Sequence, residues 1–111
     1  MGENFSRIKF TEHGIHKDGL HGIYEIDDKT YVSVCTGGGA YSTLNKVDYW
    51  VLLANRHGEW SNSIKSTFEV AVVDRVNEDV IPFEGEPIYS ELNVESVEEI
   101  IEKIKQTKNF K

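Results

Sequence analysis

Hydrophobic and polar positions alternate most regularly from Thr67 to Arg75, where Phe68, Val70 and Val72 interleave with Thr67, Glu69 and Ala71 ahead of Val73 and Asp74. A period of two puts each set on its own face of an extended chain, so the segment predicts a half-buried β-strand. Tyr31 to Thr36, rich in β-branched residues, predicts a second strand. It is preceded by Ile23-Tyr24-Glu25-Ile26 and the turn residues Asp27, Asp28 and Lys29, so the two extended runs read as a β-hairpin. Phe5 to Phe10 sets Phe5, Ile8 and Phe10 against Ser6, Arg7 and Lys9 with an imperfect alternation and predicts a first strand.

Near the C-terminus the period changes. Val97, Ile100, Ile101 and Ile104 recur at spacings of three and four and form one apolar stripe on a helix. Ser96 and Glu99 match the S-x-x-E capping box, acidic Glu98, Glu99 and Glu102 precede basic Lys103, Lys105 and Lys108, and the helix is predicted from Ser96 to Lys108. Between Gly37 and Lys65 the pattern admits two readings. The run Tyr49 to Ala54 suits a buried strand or the middle of a short helix, and its aromatic and branched content favours the strand. Asn55 to Gly58 supplies turn residues, after which Glu59 and Trp60 begin a return strand or cover a core edge. Asn77 to Ser90, with Pro82 and Pro87 around Gly85, predicts a loop with short extended pieces. The expected fold is α+β: one small domain over residues 1–111, a mainly antiparallel twisted sheet of about five strands with one C-terminal helix packed on it.

Composition narrows the classes of function. A chain of 111 residues with 39% hydrophobic and 11% aromatic content has enough apolar surface for one core and too little length for two. Domains of this size leave a large share of their surface outside, which makes a homo-oligomer a natural arrangement. The net charge of −7 works against binding DNA or an anionic membrane, and suits solubility or a basic surface on another protein. Cys35 is the single cysteine, so no disulfide forms within the chain, which fits a reducing cytoplasm. No apolar stretch approaches the roughly 18 residues of a membrane helix, so neither insertion nor export is expected.

The least ordinary segment is Thr36 to Thr43, TGGGAYST, directly after a predicted strand. Gly37, Gly38 and Gly39 permit backbone shapes closed to other residues, and bare N–H groups in such a loop can cradle a phosphate. The segment lacks the spacing and lysine of a P-loop, and the expected reading is a wide bend or bulge where the chain leaves the sheet. Around it stand Tyr41, Ser42, Tyr49, Trp50, His57 and Trp60, residues of the kind that anchor interfaces or stack on bases. The candidate ligand-binding set is therefore Gly37, Gly38, Gly39, Tyr41, Ser42, Trp50, His57 and Trp60. His13, His16 and His21 are close enough in sequence to share a metal, but glycines at 14, 19 and 22 place them in a loop, and solvated histidines are expected rather than a metal site. Cys35 paired with a histidine would make a nucleophile, yet its place inside an apolar strand favours an inert buried thiol. Glu69, Asp74, Glu78 and Asp79 read as a solvated acidic face beside a turn. No catalytic residue and no cofactor are expected.

The succession of a strand, Gly38-Gly39-Ala40-Tyr41-Ser42, the strand Glu69 to Val72 and a helix opening at Val94 to Glu99 resembles small α+β proteins encoded by bacteriophages. The chain departs from that pattern through the stretch from Leu44 to Ser66, and no catalytic residues come with the resemblance. What the resemblance implies is a non-enzymatic binder acting in the host cytoplasm, one that blocks a host defence factor through a surface around the Gly-rich loop. The alternative is a protein that sequesters a nucleotide signal, with the glycines on phosphate, Tyr41 or Trp50 on the base, and Lys46, Arg56 and Lys65 offsetting the acidity. A small hydrolase using Cys35 or His57 is the third reading.

Overall fold

A computed structural model describes residues 3–12, 19–37, 42–60 and 63–107, with the side chains of Glu59 and Trp60 outside that set. The elements in chain order are α1 (Glu3–Ser6), β1 (Lys9–Glu12), β2 (Leu20–Glu25), β3 (Thr30–Thr36), α2 (Lys46–Leu53), α3 (His57–Trp60), β4 (Phe68–Asp74), β5 (Asp79–Ile81), β6 (Tyr89–Leu92) and α4 (Val94–Gln106). All strands join one six-stranded sheet in the order β1-β2-β3-β4-β5, and β6 also pairs with β4. Every pairing is antiparallel. The domain is α+β, as the patterning predicts.

Alternation fixes which face is inside. Val32 and Val34 of β3, Phe68, Val70 and Val72 of β4, Leu20 and Tyr24 of β2 and Phe10 of β1 are all buried on one face. Phe5, Leu52, Val97, Ile100, Ile101 and Ile104 from the helices complete the same core. The other face, which carries Ile23, Ser33, Cys35 and Glu69, is only partly covered. Gly22 sits where β1 and β2 press on the core. A Cβ at that position would come within 2.6 Å of Ile8 and 2.7 Å of the Phe10 ring, so the packing of two fully buried side chains excludes any larger residue.

The β2–β3 hairpin is closed by Ile26 and Asp27, whose N–H groups both reach the Thr30 carbonyl, while Lys29 N–H donates to the Asp27 carboxylate. Asp74 holds the β4–β5 turn by accepting from Val76 N–H at 2.9 Å. On the far side of β4, Phe68 pairs with Leu92 and Val70 with Tyr89, which leaves an extra residue in β6 and a bulge at Glu91, with φ of 53°. The segment 77–90 thus contains short extended pieces joined by turns, as expected.

Four elements differ from the sequence reading. Phe5 to Phe10 is not one strand: Phe5 and Ile8, three apart, share one side of a helical turn closed by Arg7 N–H on Asn4 and Ile8 N–H on Phe5, and only from Lys9 does the chain extend. Tyr49 to Ala54 is helical rather than extended, and Glu59 and Trp60 belong to the short helix α3. Asn55 makes the intervening turn with φ of 58° and caps the edge of β1 by accepting from Phe10 N–H at 3.0 Å. The C-terminal helix is capped three residues, nearly a full turn, earlier: Asn93, not Ser96, is the N-cap, and its side chain accepts from Ser96 N–H at 2.8 Å. Its acidic residues have specific partners on α1, since Glu98 accepts from Phe5 N–H and Glu102 from the Asn4 amide, while Asn4 accepts from Tyr24 and Lys105.

This assignment of the cap is testable. Asn93→Ala should lower stability by about 1 kcal/mol, whereas Ser96→Ala should change it by less than about 0.5 kcal/mol. Urea denaturation midpoints of the two variants check it, and the reverse order would restore Ser96 as the cap.

Candidate binding surface around the Gly-rich loop

The chain leaves β3 at Thr36 and returns at Ser42, and both ends are tied to the segment that leads into β4. Thr36 Oγ1 donates to the Thr67 carbonyl at 2.8 Å, Thr43 N–H donates to Thr67 Oγ1 at 2.8 Å, and Thr67 N–H returns to the Thr43 carbonyl. Gly37 has φ of 69°, a left-handed conformation that a β-carbon disfavours, and its N–H donates to Ser42 Oγ at 3.1 Å. That bond closes the neck of the loop, so the Gly37 amide and the Ser42 hydroxyl face one another. Gly38, Gly39 and Tyr41 lie outside the described residues.

The helix α2 follows the loop. Asn45 caps α2 through its side chain on Val47 N–H, and its own N–H donates to Ser66 Oγ. Asp48, at the third helical position, is buried, and one carboxylate oxygen accepts from Lys65 N–H at 2.8 Å, Ser66 N–H at 2.9 Å and Ser66 Oγ at 2.7 Å. In a capping box the acid would turn back to the cap; here it reaches across to the segment just ahead of β4. The spacing Asn45-x-x-Asp48, flanked by Leu44 and Tyr49 at the positions of a hydrophobic staple, is the signal in the sequence that marks this helix.

Fixing α2 through Asp48 and Leu52 decides what its other side shows. Val47 and Trp50, three residues apart and so on one side, are 74% and 72% exposed. Tyr49 is half-buried and meets the Trp50 ring edge-on at 5.2 Å between centroids. Lys46, Arg56 and Lys65 are exposed nearby along the chain. The structure therefore places Trp50 at the surface of α2; the side chain of Trp60 lies outside the described residues. Val47 and Asp48, which the candidate set omitted, are respectively part of this surface and the anchor that holds it.

His57 is elsewhere. It is fully buried, with the edges of Phe5 and Phe10 each 5.2 Å away between ring centroids, and neither ring nitrogen has a hydrogen-bond partner. The carbonyls of Ile8 and Phe5 lie near enough to favour a proton slightly, but not at hydrogen-bonding geometry, so burial prevails and pushes the imidazole below its usual 6.5. His57 belongs to the aromatic core because α3 turns it inward, and it is withdrawn from the exposed surface.

The remaining candidates separate by face. Cys35 lies half-buried on the outer face of β3, opposite His21 of β2 and Glu69 of β4. Burial pushes its thiol up, Glu69 adds to the rise, and the contact with Ser33 Oγ at 3.7 Å opposes it, the reverse of an activated thiolate. The sheet lies between Cys35 and His57, which are not brought together. His21 Nε2 instead meets Ser33 Oγ at 3.0 Å, and His13 and His16 lie outside the described residues. Among the described residues no group of three His, Cys, Asp or Glu side chains is placed to hold a metal ion. Glu78 accepts from the Tyr31 hydroxyl and Asp74 serves its turn, so these carboxylates hold the β4–β5 corner. Among the described residues no helix is long and apolar enough to cross a membrane. Comparison with protein families, with curated proteins and with solved structures finds no match to this chain.

The state of His57 gives the fold a pH dependence. The unfolded chain takes up a proton near 6.5 that the folded core resists, so the stability that depends on neutral His57 is complete above about 6.5 and is lost as the pH falls below it. His57→Leu, which keeps the volume without the titration, should flatten this part of the profile. Urea midpoints of both proteins between about pH 7.5 and 5 check it, and parallel profiles would exclude His57 as the source.

Proposed function

We propose that this chain is a non-catalytic binding protein that docks on another protein through the exposed side of α2 and the neck of the Gly-rich loop. The observation that carries the reading is the exposure of Val47 and Trp50 on a helix whose opposite side is fixed by the buried Asp48. A tryptophan in water forgoes roughly 2 to 3 kcal/mol of burial, and tryptophan is among the residues that dominate protein interfaces. Because α2 is tied down at its start, little order remains to be gained on binding. Gly37 N–H bonds Ser42 Oγ, and the apolar side of α2 is what supports the reading. The resemblance to bacteriophage proteins supplies the class of partner: a host factor, met in the cytoplasm and blocked by occupation of its surface.

The test uses wild type and Trp50→Ala as paired baits in quantitative affinity capture from a bacterial host lysate. A specific partner should be retained by wild type and bind the variant at least about tenfold more weakly, a loss of about 1.4 kcal/mol or more. The melting temperature should stay nearly unchanged, since Trp50 is 72% exposed. Equal capture by the two baits would remove α2 from the interface.

A further inference from the structure

The outer face of the sheet carries a groove of about 430 Å³ lined by Arg7, Lys9, Thr11, Ile23, Tyr24 and Glu25. It lies over β1 and β2 with Arg7, just after α1, at one end, and its floor follows from register. Lys9 pairs with Ile23 and Thr11 with His21, so the Ile23 side chain lies between the two outward side chains of β1 and the rest of the sheet. Tyr24 borders the groove from within, its ring turned to the inner face where its hydroxyl bonds Asn4. The size falls in the range of roughly 300 to 1,000 Å³ typical of small-molecule sites.

The charges of the groove run against those of the whole chain. Arg7 pairs with Glu3 across 3.1 Å, but both side chains are largely exposed, 64% and 78%, and such a pair yields readily to a competing anion. Lys9 is exposed and forms no ion pair among the described residues. Glu25, the one acid in the lining, is engaged by the Arg75 guanidinium, which also lies 4.9 Å from the centre of the Tyr31 ring. The groove therefore offers Arg7 and Lys9 above an aliphatic floor, with its own carboxylate already neutralised. Thr11 Oγ1 makes only a long 3.4 Å bond to the His21 carbonyl and is available to turn towards a ligand.

The geometry points to a binding site for a small amphiphilic anion, an aromatic or aliphatic body lying over Ile23 with a carboxylate, sulfonate or phosphate between Arg7 and Lys9. This site is separate from the α2 surface and does not depend on it. The cations fix the orientation of the ligand and the apolar floor supplies burial, which is the usual division of labour in such grooves. A protein partner extending β1 is disfavoured here, because Asn55 already caps Phe10 N–H at that edge.

Anilinonaphthalene sulfonate is the probe, titrated into the full chain and followed by fluorescence and by backbone amide NMR shifts. Saturable binding should shift Lys9, Thr11 and Ile23, weaken with added salt, and weaken by roughly tenfold or more in the double variant Arg7→Glu, Lys9→Glu. Lys9→Gln, a milder change, should weaken it several-fold even if the double variant folds poorly. Uncharged anilinonaphthalene should bind less well than the sulfonate, and Trp50→Ala should leave the titration as it is. Shifts confined to Val47 and Trp50, equal affinity for the charged and uncharged probes, or titrations unaltered by Lys9→Gln would each overturn the assignment.

Discussion

Strand β4 is the one element that touches both halves of the sheet. It pairs with β3 along one side, takes β5 and then β6 in succession along the other, and lies against α4 across its inner face. Phe68, Val70 and Val72 are buried there, each contributing about 1.5 to 3 kcal/mol relative to exposure, and the Phe68 ring meets Phe5 edge-on at 5.4 Å. Because β4 is held on both edges and one face, the chain just ahead of it is a fixed rail. Ser66 and Thr67 on that rail bind Asp48, Asn45, Thr43 and Thr36, so the exposed side of α2 inherits its position from the centre of the sheet. A substitution in the core strand would be felt at the candidate surface through these few polar contacts.

Strands buried on one face write their geometry into the sequence as alternation, which is why β3, β4 and the β2–β3 hairpin are legible in it. The stripe from Val97 to Ile104 is legible for the same reason with the period of a helix. The run from Tyr49 to Ala54 is not, because an unbroken apolar segment carries no period; only the capping residues around Asn45 distinguish helix from strand. The start of α4 is ambiguous in another way. Both Asn93 and Ser96 are good caps, and tertiary contacts of Glu98 and Glu102 with α1, invisible locally, accompany the earlier start. The six-stranded sheet exceeds the expected number of strands through β5 and β6, pieces of three and four residues in the loop around Pro82 and Pro87.

The candidate surface was legible only in part. Trp50 among its aromatic neighbours marked the region, but exposure depends on which side of α2 the anchor Asp48 occupies. His57 sits among turn residues in the sequence and in the aromatic core in the structure, because Asn55 makes the turn alone and α3 begins immediately after Arg56. The groove over Ile23 has no sequence signal at all. Its cations come from the turn after α1 and from the first outward position of β1, and its floor comes from the partner strand, so the fold rather than any local pattern brings them together.

Net charge, the first argument about partners, acquires a different meaning once the acids are located. Glu98 and Glu102 hold α1 against α4, Glu78 holds Tyr31, Glu25 holds Arg75, and Asp48 and Asp74 hold backbone N–H groups. These six of the 19 acids are committed to the scaffold, where hydrogen bonds and ion pairs engage them. Lys9 and Arg7 stand over the groove, so that surface is locally cationic on an acidic chain. Within a Debye length of about 8 Å at physiological salt it is these local charges, rather than the total of −7, that a ligand or partner meets on contact. The net charge thus opposes nucleic acid and anionic membranes at long range, while recognition at short range follows the sign of each surface.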